Sequence, residues 1–525
     1  MRRALMFLLA LSMLASGCSG SGSDDQSTTT APISDGGPDD TAADDTTTDG
    51  TANDDQGSGS GPDRPDDDLA WSQCGRLECT TVDVPMDYGA SAGPETLEIE
   101  VARVSADGEP DDYRGALFIN PGGPGVSAVE FLDFAHDGYL PAELTDHFDL
   151  IAFDPRGVGN SEPTFECGLD GDWVVITNAI DGLADTPEEV ELAELSTQQC
   201  VDSMGAVAGL LHTEFVARDM DAVREALGFE ELSYLGYSYG SAIGVWYASL
   251  FPDRVRAMVL DGANNPIDPA DTTEQRIESA MEELVPLEAR LRQAIEACND
   301  ATCPIWNEGD PIAYFEQATA KLDLVDTYLG GVPFAGALGV ITTLYSEQTW
   351  PLLWDALEDL VEFDDPSILG ELALFQLDDP GQPSFTGYVN CLDSWSIYPD
   401  VDRAERLDDT IALGERVAAD LPLLAAMDTI AFDQCPFLDS IAPAPSPVAL
   451  DGGDVTIVVV GNHDDPVTPF TESEELAFDT LADGRLIEVT HPEHTVYPNN
   501  DCVKELVDST LIDGRPPAEP LTSCG

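Results

Sequence analysis

Hydrophobic positions along this chain gather into short unbroken runs separated by longer stretches of helical spacing. Ala116 to Ile119, Leu150 to Phe153, Leu232 to Tyr237 and Ala257 to Leu260 are such runs, and they read as parallel strands buried on both faces. Thr81 to Val84 and Leu97 to Val104 precede them, and Thr456 to Val460 and Leu486 to Val489 follow near the C-terminus. Helical stretches separate the later runs, which predicts an α/β fold: a mostly parallel, eight-stranded sheet with helices on both faces and its ligands at the carboxyl ends of the strands. Between Asn264 and about Gly453 the pattern changes to amphipathic helices, over Thr273 to Cys298, Pro311 to Val325, Glu347 to Val361 and Thr410 to Leu424. An insertion between the sixth and seventh strands is expected to form a cap above the site; a separate helical domain without a catalytic role is the alternative.

The strand Leu232 to Tyr237 runs into Gly236-Tyr-Ser-Tyr-Gly240, and Ser241 to Phe251 reads as a helix. This context predicts a nucleophile elbow at Ser238, where glycines on either side remove β-carbons that would strike neighbouring backbone. A serine hydroxyl is a poor nucleophile near neutral pH, so an imidazole must take its proton and a carboxylate must orient that imidazole. Val455 to Val460 ends in Gly461-Asn-His-Asp-Asp-Pro-Val-Thr-Pro469, which places an acid at a strand end. Asp465, immediately before Pro466, is preferred to Asp464 as that acid; a turn or cap role is the plainer alternative for either. After a helical stretch from Thr471 to Leu481 and a strand from Arg485 to Thr490 comes His491-Pro-Glu-His494. His494 is the expected base, because Pro492 pins His491 in an extended conformation at the strand end. His463 is expected to be a bystander lining the acid's loop. The chain order Ser, Asp, His is that of α/β-hydrolases.

Tetrahedral intermediates need oxyanion donors. The backbone N–H of Tyr239, next after the nucleophile, is one candidate, and Asn120-Pro-Gly-Gly-Pro-Gly125 offers Gly122 or Gly123 as the other. An ordinary turn is the plainer reading of that loop. Its position one strand before Phe148 to Arg156 favours the functional one.

These motifs, with Phe153-Asp-Pro-Arg-Gly-Val-Gly-Asn-Ser161 and Asp465-Pro-Val-Thr-Pro469, together resemble secreted tripeptidyl aminopeptidases, α/β-hydrolases related to the proline iminopeptidases. The resemblance runs from about Trp71 to the C-terminus, including a TAP-like C-terminal region. It implies Ser238 as nucleophile, Asp465 as acid, His494 as base, and Tyr239 with Gly122 or Gly123 at the oxyanion. It also implies a cap acid that receives the substrate's free α-amino group. Glu274, Glu278, Glu282, Glu283 and Asp393 are available for this; Asp393 is the most suggestive because a disulfide close by could hold it, although an ordinary surface acid is the simpler reading. The chain departs from the family pattern at Pro121, where many proline iminopeptidases have histidine, at Val126 and Ser127, and at Glu493, where glycine is usual.

The N-terminus has the form of an export signal: Arg2 and Arg3, an apolar stretch from Ala4 to Leu14, then small residues before Cys18. Leu14-Ala-Ser-Gly-Cys18 resembles a bacterial lipobox, so residues 1–17 are expected to be removed and Cys18 lipidated, with ordinary cleavage nearby as the alternative. Eleven cysteines are odd in number, and lipidating Cys18 leaves ten. Close neighbours suggest Cys74 with Cys79, Cys167 with Cys200, Cys298 with Cys303, Cys391 with Cys435, and Cys502 with Cys524. Residues 18–68 are rich in Ser, Thr, Gly, Asp and Pro, and read as a disordered acidic tether. The expected core then spans 69–263 and 454–525, with the cap at 264–453.

A formal net charge of −80 and lysine only at positions 321 and 504 exclude recognition of nucleic acid or anionic lipid through charge. Such acidity is tolerated best where salt shortens the Debye length, to roughly 3 Å at 1 M, and suggests a saline habitat. No cysteine or histidine spacing suggests a metal, and the chemistry requires no cofactor. The sequence therefore predicts an exported, envelope-anchored or secreted serine exopeptidase acting on peptides with free N-termini. Its rivals are a carboxylic-ester hydrolase with the same triad and a non-catalytic binding lipoprotein.

Overall fold

The computed structural model describes residues 65, 69–89, 95–165, 187–267, 272–330, 335–376, 385–397, 401–427, 435–443 and 448–525. The export signal, Cys18 and nearly all of the tether lie outside the described residues, as does Cys167.

The sheet has ten strands rather than the expected eight: β1 (Ser72–Cys74), β2 (Leu77–Pro85), β3 (Thr96–Val104), β4 (Ala116–Asn120), β5 (Asp149–Phe153), β6 (Leu232–Tyr237), β7 (Val255–Asp261), β8 (Ile457–Asn462), β9 (Gly484–Val489) and β10 (Leu521–Ser523). The two unforeseen strands, β1 and β10, are three-residue edges, too short to show a period. Disulfides secure both. Cys74–Cys79 clips β1 to β2, and Cys502–Cys524 ties the chain end to the helix Asp501–Asp513. Cys298–Cys303 and Cys391–Cys435 also form, and Cys200 is disulfide-bonded.

Spatial order is β1-β2-β3-β5-β4-β6-β7-β8-β9-β10. The pairings β1/β2, β2/β3 and β3/β5 are antiparallel, and every other pairing is parallel. Strands β4, β5, β6 and β8 are buried at every residue because helices cover both faces. One face packs Phe118, Tyr234, Met258 and Val459 against Trp246 and Met220; the other packs Leu117, Leu235, Val259 and Val458 against Leu132, Val507 and Leu511. Alternate residues of each strand thus supply opposite cores.

Helices between β7 and β8 enclose a further apolar core that includes Leu291, Ile295, Phe315, Leu353, Leu357 and Leu424. Their bounds differ locally from the expected ones. Arg403–Asp420 starts early because the Asp402 carboxylate accepts the N–H groups of Ala404 (2.9 Å) and Glu405 (3.0 Å) as an N-cap. It stops before Pro422, which opens the next turn, Pro422–Ala426. The segment expected over Glu347 to Val361 is a short 3₁₀ turn followed by Trp350–Phe363, with Pro351 in the first turn, where its missing N–H costs nothing. Pro311 to Val325 divides into Pro311–Thr319 and Asp323–Tyr328. Lys321 in the break donates to the carbonyl oxygens of Leu360 (3.2 Å) and Val361 (2.7 Å) near the end of the neighbouring helix.

Candidate active site

Register brings the functional loops to one edge of the sheet. Asn120 lies opposite Gly236, Tyr237 opposite Asp261, Asp261 opposite Val460, and Asn462 opposite Val489. The loops that leave β4, β6, β7, β8 and β9 therefore emerge side by side at the carboxyl ends.

Ser238 follows β6 with φ 53°, a left-handed conformation unusual for a residue with a β-carbon. Its N–H donates to Asp261 O at 2.9 Å, and the helix Gly240–Leu250 begins just beyond. Close packing holds that turn. A β-carbon on Gly236 would meet Gly240 O at 2.5 Å, and one on Gly240 would meet Asn120 O at 2.8 Å. The Tyr239 N–H lies at the start of this helix, where N–H groups have no intrahelical acceptor.

The glycine loop lies against the elbow. Gly122 has φ 100°, and a β-carbon there would come within 2.8 Å of Ser238 Cβ and 3.1 Å of Tyr239 N. Its own N–H donates to Asn120 Oδ1 at 2.9 Å, which leaves Gly123 as the glycine whose N–H is not committed to Asn120. The far end of the loop is pinned by Asp154, whose carboxylate accepts Ser127 Oγ–H at 2.9 Å and Val129 N–H at 3.0 Å. The Asp-Pro-Arg motif is thus scaffolding. Its Arg156, fully buried, grips Asp219 through two 2.7 Å bonds and donates to the carbonyl oxygens of Pro85, Met86 and Leu210.

The candidate acid and base meet directly. His494 Nδ1 lies 2.9 Å from Asp465 Oδ1 and 3.0 Å from Oδ2. Asp465 is buried; it accepts N–H bonds from Val467 (2.8 Å) and Thr468 (3.0 Å), while Asp464 is exposed. With Nδ1–H donated to the carboxylate, Nε2 is left with its lone pair, and it is buried without a hydrogen-bond partner. A β-carbon on Gly262 would lie 3.3 Å from His494 Cε1, while Asp261, one residue earlier, receives the Ser238 N–H. Imidazole and elbow therefore share one short stretch of β7's end.

His491 turns elsewhere, with Nδ1 3.9 Å from Glu493 Oε2. His463 is half-exposed and stacks on Phe470 at 3.7 Å between centroids. Neither histidine hydrogen-bonds Asp465.

The helices between β7 and β8 reach the base. His494 N–H donates to Tyr345 O at 3.2 Å, and the Tyr345 ring stands edge-on to the imidazole at 5.4 Å. Ser346 pairs with Glu493 in an isolated antiparallel bridge. The Glu493 carboxylate, held above the ordinary carboxyl range by burial, accepts bonds from Ser346, Gln348 and Asn499. Arg290, on the helix Thr273–Glu296, donates to Pro492 O and Leu344 O and so spans from that helix to the histidine loop. Asn462 braces the same loop by donating to His491 O (2.8 Å) and Glu493 O (2.7 Å).

Asp393 is half-buried rather than an exposed surface acid. On the helix Phe385–Ile397, beside the Cys391–Cys435 disulfide, its carboxylate accepts Thr213 N–H (2.8 Å) and Oγ–H (2.5 Å). Burial raises it to about 7. Thr213 Oγ in turn lies 2.5 Å from the Tyr239 hydroxyl, which connects Asp393 to the residue after Ser238. Glu278 and Glu282 instead line a groove of 1270 Å³ beside Trp350, His463 and Phe470, which does not reach Ser238 or His494.

Sequence reasoning missed Asp261, Asn462, Thr468, Tyr345 and Arg290. Asp261 had a signal: a lone acid closing an apolar strand before glycine. Tyr345 and Arg290 had none, because they meet His494 only through the tertiary fold. Among the described residues no cluster of side chains has the makeup of a metal site, and no helix is long and apolar enough to cross a membrane.

Comparison with known proteins agrees with this fold. Residues 115–287 match the family model for the alpha/beta hydrolase fold, and residues 423–524 match that for TAP-like proteins. The chain is 32% identical over 496 residues to serine protease Hip1 of Mycobacterium tuberculosis, covering 86% of this chain and 89% of that one. It is 32% identical over 502 residues to carboxylesterase B of the same species (90% and 93%) and 27% identical over 472 residues to a tripeptidyl aminopeptidase of Streptomyces lividans (86% and 84%).

Proposed function

The chain belongs to the TAP-like serine hydrolases of the α/β-hydrolase fold, and from that premise we propose that it is an exported exopeptidase releasing residues or short peptides from free N-termini. The observation that carries the chemistry is the His494 imidazole, bound at Nδ1 by Asp465 and with a buried Nε2 that no group, Ser238 included, hydrogen-bonds, at the same end of β7 that holds the strained elbow of Ser238.

Ser238 Oγ attacks the carbonyl carbon while His494 Nε2 takes its proton. Asp465 stabilises the imidazolium that forms. The N–H groups of Tyr239 and Gly123 receive the oxyanion; Gly122 shapes the loop and leaves space against Ser238. Nε2 returns its proton to the leaving amine as the scissile bond breaks. Water, deprotonated by the same nitrogen, then attacks the acyl carbonyl, and His494 passes that proton to Ser238 Oγ as the acyl–oxygen bond breaks and the acid product leaves. Each step is balanced by the one proton held on His494.

Exopeptidase specificity requires a group that recognises an α-ammonium. Asp393 supports this: among the cap acids it is linked through Thr213 to Tyr239, and a carboxylate whose charge is disfavoured by burial gains from a cation brought alongside. Export, processing before Cys18 and a lipid anchor complete the proposal, and rest on the leader's form.

Two relatives of equal identity carry the names serine protease and carboxylesterase, so ester hydrolysis is the second reading. Tripeptidyl and aminoacyl anilides, with and without N-terminal acetylation, separate the two. The peptidase reading predicts that acetylation raises KM by about tenfold or more, on the usual cost of an unpaired buried charge. Equal turnover of blocked and free substrates, with faster cleavage of short-chain esters, would replace it.

A further inference from the structure

All three loops of the candidate triad converge on one dipeptide, Asp261-Gly262, at the end of β7. Asp261 O accepts the Ser238 N–H at 2.9 Å. Gly262 O lies 3.0 Å from Thr468 Oγ, whose hydroxyl also lies 3.0 Å from Asp465 Oδ2, so its single proton is shared between them. Gly262, at φ 62°, leaves space that a β-carbon would take from His494: such an atom would lie 3.1 Å from His494 O and 3.3 Å from Cε1. The Asp261 side chain, fully buried, accepts the N–H groups of Val496 (3.0 Å) and Tyr497 (2.7 Å), two and three residues after the base.

An asparagine could accept the same two N–H groups at Oδ without burying a charge. What only the carboxylate adds is negative potential at the imidazole. Resting on the serine-hydrolase reading above, we propose that Asp261 is a positioning residue for this reaction: it fixes the His494 loop against the Ser238 elbow, and its charge stabilises the imidazolium formed when Ser238 is deprotonated.

The groups that face it are His494 and Asp465 on the adjoining loops and the buried hydroxyls of Tyr139 and Tyr237. Burial raises the Asp261 carboxyl to about 7, with Asp465 adding to the rise and His494 and the two N–H groups opposing it. Ionised Asp261 is therefore the form that grows in above neutrality, where a serine hydrolase also needs His494 neutral.

The test is the pH dependence of phosphonylation by a fluorophosphonate, and of kcat and KM on a free-amine anilide, in wild type, Asp261→Asn and Ser238→Ala. Asp261→Asn should be phosphonylated about tenfold more slowly above pH 8 and lose kcat in proportion, with KM unchanged. The limb of its profile that reports His494 should move to lower pH by about one unit, because the imidazolium has lost a neighbouring anion. Its thermal midpoint near neutral pH should not fall, since a buried charge has been removed. Wild-type rate and profile in a folded Asp261→Asn protein would overturn the proposal. Should that variant not fold, the wild type decides: its phosphonylation rate must rise with pH through two ionisations, and a rise through a single one overturns the proposal. Failure of the underlying reading looks different, because wild type itself would then resist phosphonylation as Ser238→Ala does.

Discussion

His494 is held between two walls of unlike construction. On the core side, Asp261 closes β7, Asn462 closes β8, and Asp465 lies in the loop that leaves β8. Sheet register fixes Asp261 and Asn462 and sets where the loop of Asp465 begins, and no long side chain has to find its partner across the fold. On the cap side the contacts are the Tyr345 carbonyl, the Arg290 guanidinium and the Ser346–Glu493 bridge. These come from residues some 150 to 200 positions away along the chain and depend on the whole helical insertion being in place. The core wall supplies charge and proton affinity; the cap wall sets the direction of the loop. It follows that damage to the core wall should appear in kcat and its pH profile, and damage to the cap wall more as loss of orientation that substrate binding can partly restore.

The largest effect expected is on the core side. Asp465→Asn should lower kcat by about 10⁴-fold with the fold intact, because the amide holds the wrong tautomer of His494. Steady-state kinetics beside circular dichroism checks this, and a loss under tenfold would remove Asp465 from the triad. Gly122→Ala should cost about 10²- to 10³-fold, since its β-carbon would displace Ser238 Cβ or the Tyr239 N–H from the oxyanion. Near-wild-type kcat for that variant would detach the glycine loop from the site. Arg290→Ala, on the cap wall, should lower kcat/KM by about tenfold to a hundredfold through misplacement of the histidine loop. If it changed stability alone, the two walls would not be coupled through this residue.

Much of the core wall was legible in the sequence, and the reason is physical. Apolar strands such as Val455 to Val460 bury completely, so the first polar residues after them must lie at the sheet's edge. That logic selects Asp465, and it would have selected Asp261 too had the acid after Met258-Val-Leu260 been weighed in the same way. Glu493 was visible only as a departure from the family pattern; its three bonds to Ser346, Gln348 and Asn499 explain why a carboxylate is tolerated beside the base. Asp393 was singled out for its disulfide, but its link to Tyr239 through Thr213 joins positions 180 residues apart and leaves no local trace. The edge strands β1 and β10 escaped because three residues contain too little pattern.

The smallest effect expected is on stability. Asp261 and Asp393 are both held at about 7 by burial, whereas in the unfolded chain such groups lose their protons near pH 4. Between those limits the folded state binds more protons, so the share of stability due to these groups is full at low pH and declines as pH rises towards 7, then levels off. Asp393→Asn should flatten part of that decline in urea midpoints taken from pH 5 to pH 8, and an unchanged slope would show that Asp393 is already ionised at pH 5. The same variant should raise KM for free-amine anilides more than for acetylated ones, which separates amine recognition from support of Tyr239.

Mapping of the covalent adduct tests the central claim most directly. After reaction with a fluorophosphonate, peptide mass spectrometry should find one phosphonyl group, on Ser238, in wild type, and none in Ser238→Ala or His494→Ala over the same interval. An adduct on another residue, or labelling that persists without the His494 imidazole, would contradict the account.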